Sequence, residues 1–176
     1  MLTGTLHFWG EDFPAPRHLQ EVVVFLPFVL AGLVPPFSPF LVATLEEFGL
    51  HLVHLTPNAI LMLALFAHAC EMFMGVRPSV ELFRHFFSIC RSALASPGPG
   101  TIRPPRIVGW VFFRRCSSSF LQMTRRKKWE NWKRQWLYME VANESEFLRL
   151  PQGPPVANSR WTEVPVLEAA WRLVLG

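Results

Sequence analysis

The chain has 176 residues, of which 51% are hydrophobic and only 17% are charged, against about 25% charged in an ordinary soluble domain. This length predicts one domain with a core of its own. Three widely spaced cysteines exclude a disulfide framework, and the first residues lack the basic and apolar stretches of a secretory signal. We therefore expect a protein of the nucleus or cytoplasm.

Charge is distributed unevenly along the chain. Residues 1–90 carry three arginines and no lysine against seven acids, whereas residues 91–176 carry fourteen basic residues against six acids. A basic half of this kind is typical of proteins that meet a polyanion. Contact with nucleic acid is therefore one hypothesis for the second half.

The beginning of the chain gives a mixed signal. Residues 1–21 have no clear periodicity and predict an irregular arm. Residues 22–26 are rich in valine, which favours a buried strand. The first turns of an apolar helix kinked at Pro27 fit the same residues equally well.

Two helix N-termini are then predicted from the same pattern, a hydroxyl residue followed by proline. Ser38 before Pro39 is typical of a helix N-terminus, because serine accepts a hydrogen bond as N-cap and proline suits the first helical position. Thr56 before Pro57 repeats this pattern. Gly49 fits the left-handed end of the first helix.

The second of these helices should run to about Met74, with Gly75 as its end. Residues 59–67 are apolar throughout, which predicts burial on all sides of this helix. A third helix is expected after Pro78, with one apolar face made by Leu82, Phe83, Phe86, Phe87 and Cys90.

The second half differs from the first in composition and in its hydrophobic pattern. Residues 91–106 have the Pro, Gly and Ser content of a linker. Residues 107–141 form a strand-rich basic region. Its apolar stretches fit three strands, at residues 107–113, 119–124 and 135–141.

The last part of the chain, residues 142–176, is a polar and Pro-rich tail. Residues 164–175 within it are apolar and fit a short terminal helix. With residues 22–90 mostly helical and strands confined to the basic region, the predicted fold class is α+β, mainly α.

The helical half carries an ordered set of short sequence patterns. They are Pro-Pro-Phe-Ser-Pro-Phe at 35–40, Phe-Gly-Leu-His-Leu at 48–52, Leu-Thr-Pro-Asn at 55–58, Cys-Glu-Met-Phe-Met-Gly at 70–75 and Pro-Ser-Val-Glu-Leu-Phe-Arg-His-Phe-Phe at 78–87. In order and spacing they resemble the gypsy-type transposon, or gypsy-type transposase, domain family of plants over residues 22–90. The resemblance implies a transposon-derived plant protein, with the character of a gene fragment, and implies no catalytic residues.

The carboxylates test whether such a protein cuts or joins DNA. Two-metal phosphoryl transfer requires clustered acids, and Asp12 is the single aspartate of the chain. An all-glutamate set would have to use Glu46, Glu71 and Glu81, but glutamates on helices are ordinarily surface residues. We therefore expect no catalytic residue and no enzymatic activity.

The sequence gives little indication of a metal-binding site or of a reactive cysteine. His51 and His54 form a close pair without a third ligand at a suitable spacing, so we expect no metal and no cofactor. His68 and Glu71 lie three residues apart on the long helix and are expected to share a structural hydrogen bond. The cysteines are expected to be core thiols: Cys70, Cys90 and Cys116.

Residues 125–136, which we call the basic segment, are the best candidate for binding. Basic side chains neutralise phosphates and exposed indoles stack on bases. The candidate nucleic-acid-binding residues are Arg125, Arg126, Lys127, Lys128, Trp129, Trp132, Lys133 and Arg134. The alternative is a solvated loop whose tryptophans pack inward. Residues 125–128 also resemble a minimal nuclear-import cluster.

Three functions remain open at this point. The first is a non-catalytic, transposon-derived module that binds a protein partner, or another copy of itself, through apolar helix faces. The second is an accessory protein that binds nucleic acid through the basic segment. The third is a small membrane protein, which is less favoured because His68 and Glu71 interrupt the longest apolar run, and a spanning helix needs about 20 apolar residues.

Overall fold

The computed structural model describes residues 4–8, 14, 16, 21–91, 108–116, 129–140 and 145–165. Five strands lie in this part of the chain: β1 (Gly4–Phe8), β2 (Glu21–Phe25), β3 (Phe87–Arg91), β4 (Val111–Arg115) and β5 (Gln135–Glu140). The α-helices within it are α1 (Leu26–Leu30), α2 (Pro39–Phe48), α3 (Pro57–Met72) and α4 (Val80–Phe86). The fold is α+β. The narrower expectation, mainly α, is not confirmed, because strands from both halves of the chain build two sheets.

The larger sheet has the order β1-β5-β2, with β5 antiparallel to both of its neighbours. Leu137 at its centre lies opposite Leu6 on one side and Val24 on the other. Residues 4–8 are therefore a strand, where the sequence predicted an irregular arm. The pairing partner of β1 lies in the other half of the chain, so no local pattern could reveal it.

The strand interpretation of the first apolar run is confirmed, and the kinked-helix interpretation is wrong. Val22, Val23, Val24 and Phe25 are buried in β2. The helix α1 follows without a break, with Pro27 in its first turn, where a missing amide N–H costs nothing.

The predicted starts of α2 and α3 are confirmed. The Ser38 side chain accepts a hydrogen bond from the amide of Leu41 at 3.2 Å, and the Thr56 side chain accepts one from Ala59 at 3.2 Å. Gly49 has a φ of 62° at the end of α2, a left-handed conformation that glycine adopts without strain.

The far end of α3 and its surroundings differ from the prediction. The helix ends at Met72, two residues before the predicted Met74. It is not buried on all sides, because Leu65 and Met72 are exposed. An apolar composition on every face did not distinguish the side that packs on α1 and β4 from the side that faces solvent.

The third helix is shorter than predicted. Ser79 caps α4 through a 3.2 Å hydrogen bond from the amide of Leu82, and the helix ends at Phe86. Phe87 and Cys90 lie on β3 rather than on a helix face. A short apolar run fits both the helical pattern and the alternating pattern of a strand. Residues 87–91 are a strand because they pair with β4.

The segment between α2 and α3, residues 50–55, is called the connector below. It contains a short 3-10 turn, Leu52–His54, and its apolar side chains are completely buried: Leu50, Leu52, Val53 and Leu55. Its backbone is hydrogen-bonded to the chain just before β4. The amide of Gly109 donates to the carbonyl of Val53 at 2.9 Å, and the amide of Trp110 donates to that of His54 at 2.8 Å.

These bonds explain why β4 starts later than predicted. Residues 108 and 109 form a turn, with Gly109 at a φ of 69°, and the strand runs over Val111–Arg115 instead of residues 107–113. The predicted strand at residues 135–141 is observed as β5, Gln135–Glu140.

Residues 145–165 pack against the helical half. Leu148 and Trp161 are buried, and the Trp161 indole donates a hydrogen bond to the carbonyl of Phe48 at 2.9 Å. An ion pair joins Glu47 to Arg160 of this segment. The described part of the predicted tail is therefore a structural part of the fold.

Several predicted features lie outside the described residues: the linker apart from Arg91, the strand at 119–124 and the terminal helix beyond residue 165. Among the helices that the structure describes, none has both the length and the apolar character that a membrane crossing requires.

We expect Trp161→Ala to lower the free energy of unfolding by about 3 kcal/mol, because it empties a buried indole site and leaves the Phe48 carbonyl without its donor. Chemical denaturation followed by circular dichroism measures this change. Val156→Ala is the matched control, since Val156 is 81% exposed in the same segment, and it should change stability by less than about 0.5 kcal/mol. Equal effects of both substitutions would contradict the docked position of residues 145–165.

Candidate functional site

The basic segment is described from Trp129 onward. Arg125, Arg126, Lys127 and Lys128 lie outside the described residues. A short 3-10 turn, Trp132–Arg134, leads into β5. Asn131 precedes this turn with a φ of 49°, a left-handed conformation that asparagine tolerates better than most residues.

Trp132 packs inward. Its ring centroid lies 5.2 Å from that of Phe25, in an edge-on arrangement, and 5.5 Å from that of Phe28. The ring also lies against Gly109, where a Cβ atom would come within 2.5 Å of it. Aromatic contacts of this kind stabilise a core. Trp132 therefore joins the turn to β2 and α1.

Trp129 is tied to α3. Its indole nitrogen donates a hydrogen bond to the side-chain oxygen of Asn58 at 3.2 Å. Asn58 lies in the first turn of α3, as its place after the Thr56-Pro57 start predicts. Trp136, the last tryptophan of the basic segment, is buried in β5.

The cationic side chains of the described turn differ from one another. The Lys133 ammonium donates to the carbonyl of Val108 at 2.6 Å and lies 5.3 Å from the centroid of the Trp132 ring. Arg134 is exposed. Arg114 and Arg115 are also exposed, at the end of β4. Lys133 and Arg134 are thus both exposed, but the Lys133 ammonium is held by a backbone carbonyl, whereas the indoles contribute packing contacts.

His51 and His54 are placed side by side, as their spacing suggests, but both rings are used by the fold. His54 Nδ1 accepts a hydrogen bond from the His51 amide at 3.0 Å. His54 Nε2 lies 3.1 Å from the carbonyl of Gly153, and His51 Nδ1 lies 3.0 Å from that of Arg149. A carbonyl only accepts, so Nε2 of His54 and Nδ1 of His51 carry the protons.

Burial fixes the protonation state of His54. The side chain is 2% exposed, and desolvation lowers its pKa from 6.5 to about 4; the hydrogen bond to Gly153 opposes this shift and the neighbouring His51 adds to it. Neutral His54 can accept at Nδ1 and donate at Nε2 at the same time. A second proton would occupy Nδ1 and remove the bond to the His51 amide.

No group of three or more His, Cys, Asp or Glu side chains among the described residues is arranged to hold a metal ion. His68 and Glu71, which were expected to share a structural hydrogen bond, are both exposed on α3. Of the three cysteines, Cys70 alone is buried, whereas Cys90 is half-buried and Cys116 is exposed.

The Cys70 thiol has low reactivity at neutral pH. Burial raises its pKa to about 11, and the charge of Glu71 acts in the same direction. The thiolate is the reactive form of cysteine. At neutral pH Cys70 therefore behaves as a small apolar side chain.

A charged cluster that the sequence did not reveal lies between α2, α4 and residues 145–165. Arg84 pairs with Glu47 at 2.7 Å and with Glu163 at 3.7 Å, while Glu47 also pairs with Arg160. A cavity of about 530 Å³ opens beside these groups, with Glu81 and Pro165 in its lining. The residues come from three distant parts of the chain, so their spacing in the sequence could not predict that they form a cluster.

The glutamates considered for an acidic triad are not brought together as one. Glu46 accepts a hydrogen bond from the Ser145 hydroxyl at 3.1 Å. Glu71 is exposed on α3 and Glu81 on α4. Glu46 therefore contributes to the docking of residues 145–165.

Comparison with known proteins found one family model that matches a segment of the chain. Residues 22–91 match the family model described as "Putative gypsy type transposon". The matched segment runs from β2 through β3 and contains α1, α2, α3 and α4. No curated protein and no solved structure matches the chain. The resemblance stated from the sequence patterns is thus confirmed over this segment.

We expect Trp132→Ala to lower the free energy of unfolding by about 2–3 kcal/mol, because the ring fills space between Phe25, Phe28 and Gly109. Urea denaturation gives the change. Arg134→Ala, two residues away on the exposed side of the same turn, should cost less than about 0.5 kcal/mol. A Trp132 variant as stable as the Arg134 variant would show that the ring does not pack as described.

Proposed function

We propose that this chain is a non-catalytic interaction module of a transposon-derived protein, and that it associates with a second copy of itself through the outer face of α3. The match of residues 22–91 to a gypsy-type transposon family supports the origin. The roles of His51, His54 and Glu46 in holding the fold support a module built for packing rather than for chemistry.

The observation that carries the proposal is the exposure of large apolar side chains at the end of α3. Met72 is 67% exposed and Phe73 is 82% exposed, and Leu65 lies seven residues before Met72 on the same side of the helix. Scattered apolar side chains are normal on a surface, but a stripe along one helix is typical of a contact site.

Polar complementarity favours a second copy as the occupant. His68 and Glu71 are exposed on α3, between Leu65 and Met72. In an antiparallel pair of α3 helices with the two-fold axis between residues 69 and 70, His68 of one copy lies opposite Glu71 of the other. A two-fold contact is self-complementary in this way. The apolar side chains then flank a central pair of polar contacts.

The variant Met72→Gln/Phe73→Ser should weaken self-association at least tenfold, because it removes the largest exposed apolar surface of α3 while keeping a helix-compatible residue at position 72. Sedimentation velocity over a range of concentrations measures the dissociation constant. Val156→Ser is the matched control, since it removes one equally exposed apolar side chain away from the helices, and it should leave the constant unchanged. A wild-type chain that stays monomeric at every concentration would overturn the proposal.

Contact with nucleic acid through the basic segment is the second candidate. It is favoured by the exposure of Arg134 and by the run of four basic residues that precedes Trp129 in the sequence. Since Trp129 and Trp132 are engaged by Asn58, Phe25 and Phe28, the contact would rest on phosphate neutralisation without base stacking. Such binding depends steeply on salt and little on sequence.

Replacing Arg125, Arg126, Lys127 and Lys128 with alanine should therefore flatten the salt dependence of DNA binding. If each of the four residues contacts one phosphate, the slope of log affinity against log salt should fall in magnitude by about 3.6, since each phosphate contact to duplex DNA contributes close to 0.9. Fluorescence anisotropy with a labelled duplex at several salt concentrations measures it. Arg77→Ala, which removes one exposed charge next to α4, is the control and should change the slope by at most about 1. An unchanged affinity and slope in the fourfold variant would exclude this function.

A further inference from the structure

The contact between the connector and residues 145–165 depends on one protonation state. Two hydrogen bonds join the two segments through imidazole rings, from His54 to the carbonyl of Gly153 and from His51 to the carbonyl of Arg149. The His51 ring also packs against the ring of Phe147, with centroids 5.6 Å apart. The two histidines therefore fasten the middle of residues 145–165 to the fold.

The hydrogen bonds of the His54 ring depend on its protonation state. His54 must accept at Nδ1 from the amide of His51, at 3.0 Å. A proton added there points at another N–H group, and the ring can no longer keep both of its hydrogen bonds.

The surroundings of His54 offer little to stabilise its charged form. The side chain is buried among apolar residues of the connector, and His51 is the neighbouring titratable group, with ring centroids 5.3 Å apart. The elements packed against this turn are β2, the chain just before β4 and the turn Glu146–Leu148. Their charged residues are Glu21 and Glu146, with Arg149 following. The lowered pKa of His54 agrees with this environment.

We propose that residues 145–165 are a pH-sensitive strap, which detaches from α2 and the connector when His54 is protonated. The detached state gives His54 access to water, where an imidazolium is stable. It also exposes the surface that Leu148 and Trp161 cover, together with the carbonyl of Phe48 that now binds Trp161. The rest of the core, held by the β1-β5-β2 sheet and by the contacts between α1, α3 and β4, stays folded.

The sign of the pH dependence follows from the direction of the shift. A base whose pKa is lower in the attached state binds its proton preferentially in the detached state, so acid favours detachment. The effect is absent above pH 7, grows as the pH falls below 6.5 and levels off near pH 4, where attached His54 also titrates. Between pH 7.5 and pH 5.0 the detached fraction should rise about thirtyfold.

Hydrogen–deuterium exchange of the full chain at pH 7.5 and pH 5.0 tests the proposal, after correction for the intrinsic pH dependence of amide exchange. The expected result is a rise of about thirtyfold in the opening of residues 145–165, with unchanged protection in β2 and α3. In His54→Gln, whose amide can accept and donate in the same positions without titrating, the pH response should disappear. His68→Gln, which alters an exposed histidine on α3, should keep the full response.

Three outcomes would overturn the proposal. Residues 145–165 could show no pH response, β2 and α3 could open by the same factor as residues 145–165, or the response could persist in His54→Gln. If that variant does not fold, the histidine ring signals of the wild-type chain decide the question by NMR titration. Opening of the strap must then follow the titration of His54, and a titration of His54 that leaves the strap attached contradicts the mechanism.

Discussion

The burial of the connector is the constraint on which the rest of this fold depends. Residues 50–55 contain one 3-10 turn and one β-bridge, from Leu55 to Val111, and their leucine and valine side chains are completely buried. Burying such a backbone requires a partner for each of its polar groups. Partners for two of its carbonyls, those of Val53 and His54, come from amides in the chain before β4. Two side chains of the connector, the rings of His51 and His54, bind carbonyls of residues 145–165, so that the connector joins the two halves of the protein.

This constraint explains why the folded unit is larger than the segment that matches the transposon family. Residues 22–91 contain the connector and α1, α2, α3 and α4, but the sheet partners of β2 and β3 lie outside that segment. The hydrogen bonds at Val53 and His54 also end on residues beyond position 91. The matched segment is therefore part of a larger folded structure and does not provide all of its own backbone partners.

Local signals in the sequence were sufficient for the helix starts and insufficient for the pairing of strands. Ser38, Thr56 and Gly49 act through atoms a few residues away, so their roles could be predicted from spacing alone. The strand β1 and the helix-to-strand change at Phe87 depend on partners far along the chain, which a local pattern cannot identify.

The candidate site shows the same division. The basic character of residues 125–136 is evident from composition, but the inward direction of Trp132 depends on Phe25, Phe28 and Gly109 in three other regions. The pairing of His51 and His54 could be predicted from their spacing. Their role in holding residues 145–165 could not, because the backbone carbonyls that they bind have no signature in the sequence.

The position of β5 in the middle of the larger sheet has a consequence for synthesis of the protein. During translation β2, with its run of buried valines, emerges long before β5, the strand with which it pairs. Until Gln135–Glu140 has left the ribosome, β2 exposes an apolar strand with unpaired backbone groups, which is a template for unwanted association. The nascent chain therefore passes through a long interval in which shielding by a chaperone, or early burial of β2 against α1 and the connector, determines the yield of folded protein.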